Sequence, residues 1–515
     1  MRSNYFKLLL GIGFVSLVGS GAISCSDDGD TSSSGDTGDG CGPGTVLCGD
    51  TCTSTALDPN NCGQCGAACA EGESCDSGAC VLECNGGATT CGGSCVDTQS
   101  DPANCGQCDT ACDAAQEVCS AGQCVASCGD GGLTRCGDSC VDTASDALNC
   151  GQCGMPCAGA DTCVAGSCVA EAAPKAVYTM SNDPAGNQIL AFGRSADGSL
   201  VPSGTFTATG GRGSGGGLGN QNGLIFDAAT NRFFAVNAGD SSISMLSLTP
   251  DGTLELLSNV PSGGERPISV TVSGSVVYVL NAGVVANGTA ANISGFSVVG
   301  DNLTPIANST QPLSAPNPNP AQIQFNPDGN VLVVTEKGTN MLSTYTVEAD
   351  VASGPTVKVS AGQTPFGFAF SANGHAIISE AWGGQANQSS ASSYSVGANG
   401  FLTTVSSALG TTRTAACWVA VAGDYAYMAN AGSSDITGFH VAPDGILTLL
   451  DADGVTGQAT AAPVDEDVTD DNDFLYVVNN GSHSFSIFQI EADGSLTKRP
   501  DFIGLPSTAS GIVAR

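Results

Sequence analysis

From Lys175 to Arg515 short apolar runs alternate with polar corners, returning about every 50 residues, a period that signals propeller blades. The runs are Ala176–Met180, Phe233–Asn237, Val276–Asn281, Val331–Glu336, Ala376–Glu380, Tyr425–Asn430 and Phe474–Asn479. Each reads as the second strand of a blade, which predicts seven blades. Five Asp-Gly or Asn-Gly pairs (Asp197-Gly198, Asp251-Gly252, Asn399-Gly400, Asp444-Gly445 and Asp493-Gly494) are placed to join third and fourth strands. Such pairs favour the positive φ that tight hairpins need. Nothing between Cys168 and Lys175 resembles a first strand, whereas Ser510–Ala514 does. The ring is therefore expected to close by pairing its two ends, which removes the last open sheet edge.

Before Lys175 the pattern is different. Arg2 and Lys7 precede an apolar run, Leu8–Val18, and Gly19–Ser24 is small, so residues 1–24 read as a signal peptide. The run falls short of the ~18 apolar residues of a membrane span. Ala22-Ile23-Ser24 before Cys25 resembles a bacterial lipobox, which implies a lipid on Cys25 and a membrane anchored through it. Ser26 follows that cysteine where lipoproteins kept at the inner membrane have Asp, so the resemblance implies the outer membrane or cell surface, with a periplasmic or secreted protein as the alternative. Residues 25–40 continue as an acidic tether with nothing to bury, expected to be disordered.

Of the 26 cysteines, 24 fall in three copies of one eight-cysteine module, residues 41–80, 84–124 and 128–168. Each copy repeats a turn phrase, as in Asp58-Pro59-Asn60-Asn61-Cys62-Gly63-Gln64-Cys65. An even count in a short, core-poor module reads as a disulfide framework, stable only in an oxidising compartment. The connectivity stays open, since eight cysteines allow 105 pairings. Metal binding is disfavoured: each copy carries one Cys-x-x-Cys where a zinc ribbon needs two, and no histidine precedes His375. The modules resemble cysteine-rich repeats of predatory and social soil bacteria, which implies a spacer or interaction stalk.

Charge narrows the partners. The chain has 14 Lys and Arg against 49 Asp and Glu, a net charge of −35. It cannot neutralise phosphates, so no nucleic acid partner is expected. The Gly210–Gly219 stretch is not a phosphate loop, because no helix or Lys-Ser/Thr follows. It reads as a flexible loop on the rim, and no cofactor is implied. Cys417 reads as a small buried residue beside Trp418.

Residues 175–515 resemble the lactonase-type seven-bladed propellers, the family of bacterial 6-phosphogluconolactonases and carboxymuconate-lactonizing enzymes. The phrases carrying the resemblance are Thr335-Glu336-Lys337-Gly338-Thr339-Asn340, Thr364 to Phe370, Ser379-Glu380-Ala381, Ser390 to Tyr394 and Ala415-Ala416-Cys417-Trp418. The expected fold is all-β: a seven-bladed β-propeller after three disulfide-rich repeats and a disordered tether. Active members of the family carry a histidine where Pro365-Phe366-Gly367 stands here and another near Ala321. This chain has neither, and its own histidines, His375, His440 and His483, fall in a turn and on or beside outer strands.

Propeller topology is expected to gather Arg212, Arg266, Arg413, Asn237, Asn281, Glu336, Glu380, Asn430 and Asn479 on one loop rim. A lactone hydrolase needs a cation to hold an oxyanion and a base to activate water. Arg266 and Arg413 could do the first and Glu336 or Glu380 the second. The bland alternative makes the two glutamates structural caps on loop amides. Binding of an exported lactone, sugar or protein ligand on the loop face is the favoured function. A lactonase acting without histidine is the alternative.

Overall fold

The computed structural model describes residues 174–515 throughout and most of residues 46–169; the signal segment, Cys25 and the tether lie outside the described residues. Seven antiparallel sheets follow one another from Ala176 to Ala514. Their second strands are the seven apolar runs: Ala176–Met180, Arg232–Asn237, Val276–Asn281, Val331–Glu336, His375–Glu380, Tyr425–Asn430 and Phe474–Asn479. All lie between neighbouring strands and are almost wholly buried, which is why they are apolar on both faces.

Ser510–Ala514 is the first strand of blade one, pairing antiparallel with Ala176–Met180 through Val177 with Ala514 and Tyr178 with Val513. Side chains reinforce this seam. Lys175 and Arg194 of blade one each bind Asp471 of blade seven at 2.7 Å. The Tyr476 hydroxyl donates to the Gly198 carbonyl at 2.7 Å. The same tie recurs between blades six and seven, where Tyr427 donates to the Gly494 carbonyl at 2.9 Å.

The Asp-Gly hairpins are placed as expected but built otherwise. Only the glycine has positive φ, +83° at Gly198 and +82° at Gly494, while the preceding aspartates do not. The amide of Gly198 donates to the Ser195 carbonyl, and the amide of Ser195 to the Ser199 carbonyl. These are wider turns closed by a left-handed glycine, not two-residue turns. The glycine has a second reason. A Cβ at Gly198 would lie 2.4 Å from the Phe474 ring of the preceding blade, and one at Gly494 2.3 Å from Tyr425.

The cysteine modules form small two-stranded hairpins held by disulfides. Module three pairs Cys128–Cys140, Cys136–Cys153, Cys150–Cys163 and Cys157–Cys168. In module order that is first with third, second with fifth, fourth with seventh and sixth with eighth. Modules one and two repeat the last three pairs, as in Cys48–Cys65, Cys62–Cys75 and Cys69–Cys80. Each Cys-x-x-Cys is thus divided between two bridges. Val118–Ser120 of module two also pairs in parallel with Ser139–Val141 of module three, joining the two into one four-stranded sheet.

Candidate functional site

One residue at the end of each second strand governs the loop rim. In blades two to seven these are Asn237, Asn281, Glu336, Glu380, Asn430 and Asn479, all with no exposed surface. Each turns inward to fasten its own third strand, most of them also the loop arriving from the preceding blade. Asn237 donates to Ser242 and Ser244 and accepts from Thr209 at 2.7 Å. Asn281 donates to Ser294 and accepts from Ser262 at 2.7 Å. Asn430 donates to Asp435 and Thr437, and Asn479 to Ser486.

The two glutamates make the same tie with more donors. Glu336 accepts from the Ser314 amide at 3.0 Å and hydroxyl, from Thr339 at 2.7 Å and from Ser343 at 2.6 Å. Glu380 accepts from the Gly362 amide at 2.7 Å, from Ser392 at 2.6 Å, and from Ser360 and Ser390. Burial pushes the Glu380 carboxyl above its ordinary range, against the pull of those donors. Neither carboxylate keeps an oxygen turned toward a rim-bound substrate, the geometry a general base needs. Arg413 is engaged as well, bound to the fully buried Asp435.

Arg212 and Arg266 differ. Both are exposed, and neither forms an ion pair among the described residues. They flank the 237–242 corner of blade two: Arg212 shares a surface cavity with Asp240, and the Arg266 amide donates to Ser241. Arg266 has φ +56°, as do Thr364, Ala415 and Ala462 within a few degrees at the same place in blades five to seven. There each carbonyl accepts an amide just past the second strand, so the left-handed bend belongs to the fold and only the side chain is specific to Arg266.

The sequence reading missed Lys337 and Gln221. Lys337 lies across the mouth of the central channel, donating to the Gly219 carbonyl and standing 4.6 Å from the centre of the Phe366 ring. Burial lowers its pKa to about 7, and the charge of Arg266 adds to the shift. The glycine-rich loop is not a free rim loop: it leads into a plug. Asn220 donates to Ile268 of blade three and accepts from Trp418 of blade six at 2.7 Å. Gln221 donates to the Val419 carbonyl at 2.7 Å and accepts from the Val419 amide at 3.1 Å, and its own amide reaches the Ala321 carbonyl.

A Cβ at Gly367 would stand 2.0 Å from the Gln221 side-chain oxygen, which explains the glycine. Both places where the family resemblance implies a histidine, Ala321 and Pro365-Phe366-Gly367, therefore face Gln221. Nothing in the blade periodicity signals this; the irregular composition of residues 210–223 was the available hint. Of the chain's own histidines, His375 begins a second strand beneath the Gly445 hairpin, and His440 is exposed on a third strand. His483 is exposed at a loop-face corner with φ +51°, beside the third strand of blade seven that begins at Ser484.

A closed ring of seven antiparallel blades, five of four strands and two of five, with its loops and plug on one face, defines a propeller of the lactonase type. The chain belongs to that family: the family model described as lactonase, 7-bladed β-propeller, matches residues 213–510. A second model, for the stigma-specific STIG1-like family, matches residues 76–127 within the cysteine modules. No curated protein matches. The periplasmic gluconolactonase of Pseudomonas aeruginosa is a structural neighbour at 19% identity and TM-score 0.50, spanning 66% of this chain and 99% of its own. A candidate 6-phosphogluconolactonase from Bacteroides uniformis stands at 20% and 0.51, spanning 66% and 99%. A protein from Lactobacillus plantarum stands at 19% and 0.52, spanning 66% and 98%. At these identities the likeness is one of fold.

Proposed function

We propose that this is an exported binding protein, anchored to the envelope by a lipid on Cys25 and offering the propeller's loop face to a carboxylate-bearing small molecule such as a sugar acid. One observation carries the reading. In a chain of net charge −35, the loop face keeps two exposed arginines, Arg212 and Arg266, with the Lys337 amine beside the second. A bound carboxylate would be met by charge-assisted hydrogen bonds and would draw Lys337 back toward its charged form. The ten disulfides among the described residues support an oxidising, exported setting. The cysteine modules would then act as a stapled spacer.

The test is calorimetric titration of the full exported chain with D-gluconate and D-glucuronate. Binding should occur and weaken at least about tenfold, ~1.4 kcal/mol, in Arg266→Ala. Heat from neither anion, or binding indifferent to Arg266, would sink the reading. For the anchor, Cys25→Ser should move the protein from the membrane to the soluble fraction; continued membrane association would exclude the lipid.

Lactone hydrolysis through Arg266 with Glu336 or Glu380 is the second reading, supported by membership of the lactonase family. Opposing it is the saturation of both carboxylates by hydroxyl and amide donors.

A further inference from the structure

The innermost strand of blade seven, Pro463–Val468, carries three consecutive acids, Asp465, Glu466 and Asp467. The facing first strands offer mainly apolar or neutral side chains, among them Leu224, Val270, Ile512 and Gln324. Together they enclose a chamber of about 330 Å³ within the central channel. Gln221 and Asn222 of the plug lie in its wall, and it reaches the surface beside the exposed Asp470. Pro463 pairs with Asn479 at the loop rim and Val468 with Leu475 at the far end. The chamber therefore lies below the plug and opens on the face opposite the arginines.

The carboxylates are poorly matched to what surrounds them. Asp465 and Glu466 are 3% and 2% exposed. Among the described residues Asp465 accepts only the neighbouring Glu466 amide, and Asp467 accepts the Val468 and Ala514 amides at 2.9 Å. Glu466 accepts the Ala429 amide through one oxygen, and its second, buried oxygen has no partner among the described residues. No Lys, Arg or His pairs with any of the three among the described residues. Arg515, near the mouth, is taken up 3.7 Å from Asp470 and stacked over Phe226. Buried acids without a counter-charge are a standing cost that a cationic guest would relieve.

The geometry selects the kind of cation. Residues i and i+2 on one strand face stand about 6.6 Å apart, and the residue between them faces the other way. Among the described residues, no three carboxylate oxygens converge within ligand distance of a single ion. An organic ammonium spreads its N–H donors over separated acceptors and lays its methylenes on the apolar walls. The volume also lies within the ~300–1,000 Å³ of small-molecule sites.

We propose that the central channel, entered from the face opposite the loop rim, binds an aliphatic amine, its ammonium held by Asp465 and Asp467, which share one face of the strand. The probe is 1,4-diaminobutane, titrated calorimetrically into the full exported chain, with calcium and 1-butanol as comparisons. Diamine should bind with release of protons, seen as a heat that changes with the buffer's ionisation enthalpy. Asp465→Asn and Asp467→Asn should each weaken it at least about tenfold. Both variants keep the shape of the protonated acid, and an unchanged or raised melting temperature will show that they fold. Arg266→Ala should leave diamine binding unchanged, which separates this site from the rim. Absence of diamine binding, equal binding by 1-butanol, or binding indifferent to both substitutions overturns the proposal. Calcium binding in place of diamine overturns it in favour of a metal site.

Discussion

Deleting residues 508–515 is expected to abolish cooperative melting of the propeller. The deletion removes the whole first strand of blade one, leaving Ala176–Met180 an open edge beside blade seven. Ile512 and Val513 are 5% and 6% exposed in the closed ring, and burying such side chains contributes roughly 1.5–3 kcal/mol each. Asp467 also loses the Ala514 amide, and Arg194 loses the Arg515 carbonyl that it binds at 2.7 Å. These losses together approach the ~5–15 kcal/mol net stability of an ordinary domain. Calorimetry of the full chain should show the propeller transition missing or far lower. An unchanged melting temperature would mean the ring does not depend on its terminal strand.

Propeller stability is expected to fall as pH rises from about 5 to 8, the reverse of ordinary acid denaturation. Burial raises Asp465 and Glu466 well above the carboxylate range and Asp467 to about 7. A carboxyl whose folded pKa exceeds its unfolded one binds more protons when folded. Its stabilising contribution is complete below the unfolded pKa and is lost as pH climbs through the folded value. For Asp467, a rise from 3.8 to about 7 corresponds to about 4 kcal/mol in all, of which about 2–3 kcal/mol is lost between pH 5 and 8. Melting temperature measured across that window should decline. The triple variant Asp465→Asn, Glu466→Gln, Asp467→Asn should flatten the slope, whereas a slope unaltered by it would remove these acids from the account.

The fold was legible where a physical requirement repeats. Seven second strands must be buried on both faces, so seven apolar runs stand in the sequence. The terminal strand was readable because blade one lacked its own. Disulfides were legible as a count but not as a pairing, since turns decide which sulfurs meet. At the site the sequence put polar residues at the ends of second strands and left open whether the two glutamates face a ligand or cap loop amides. Glu336 and Glu380 look the same in sequence whether they face a ligand or the serines and threonines of their own blade. The plug escaped notice because Gln221 makes its contacts with blades four, five and six, about 100 to 200 residues away in the chain. Asp465-Glu466-Asp467 was visible all along as an acidic interruption in an innermost strand.

The most direct test of the claim that rim carboxylates hold blades together is Glu380→Ala in the full exported chain, assayed at once for unfolding and lactone hydrolysis. Four donors lose their acceptor, so the unfolding free energy should drop by about 2–4 kcal/mol. Parent and variant alike should show no turnover of a lactone panel above background. Turnover by the parent that vanishes in Glu380→Ala, with the unfolding curve unmoved, would contradict the account and make that carboxylate catalytic.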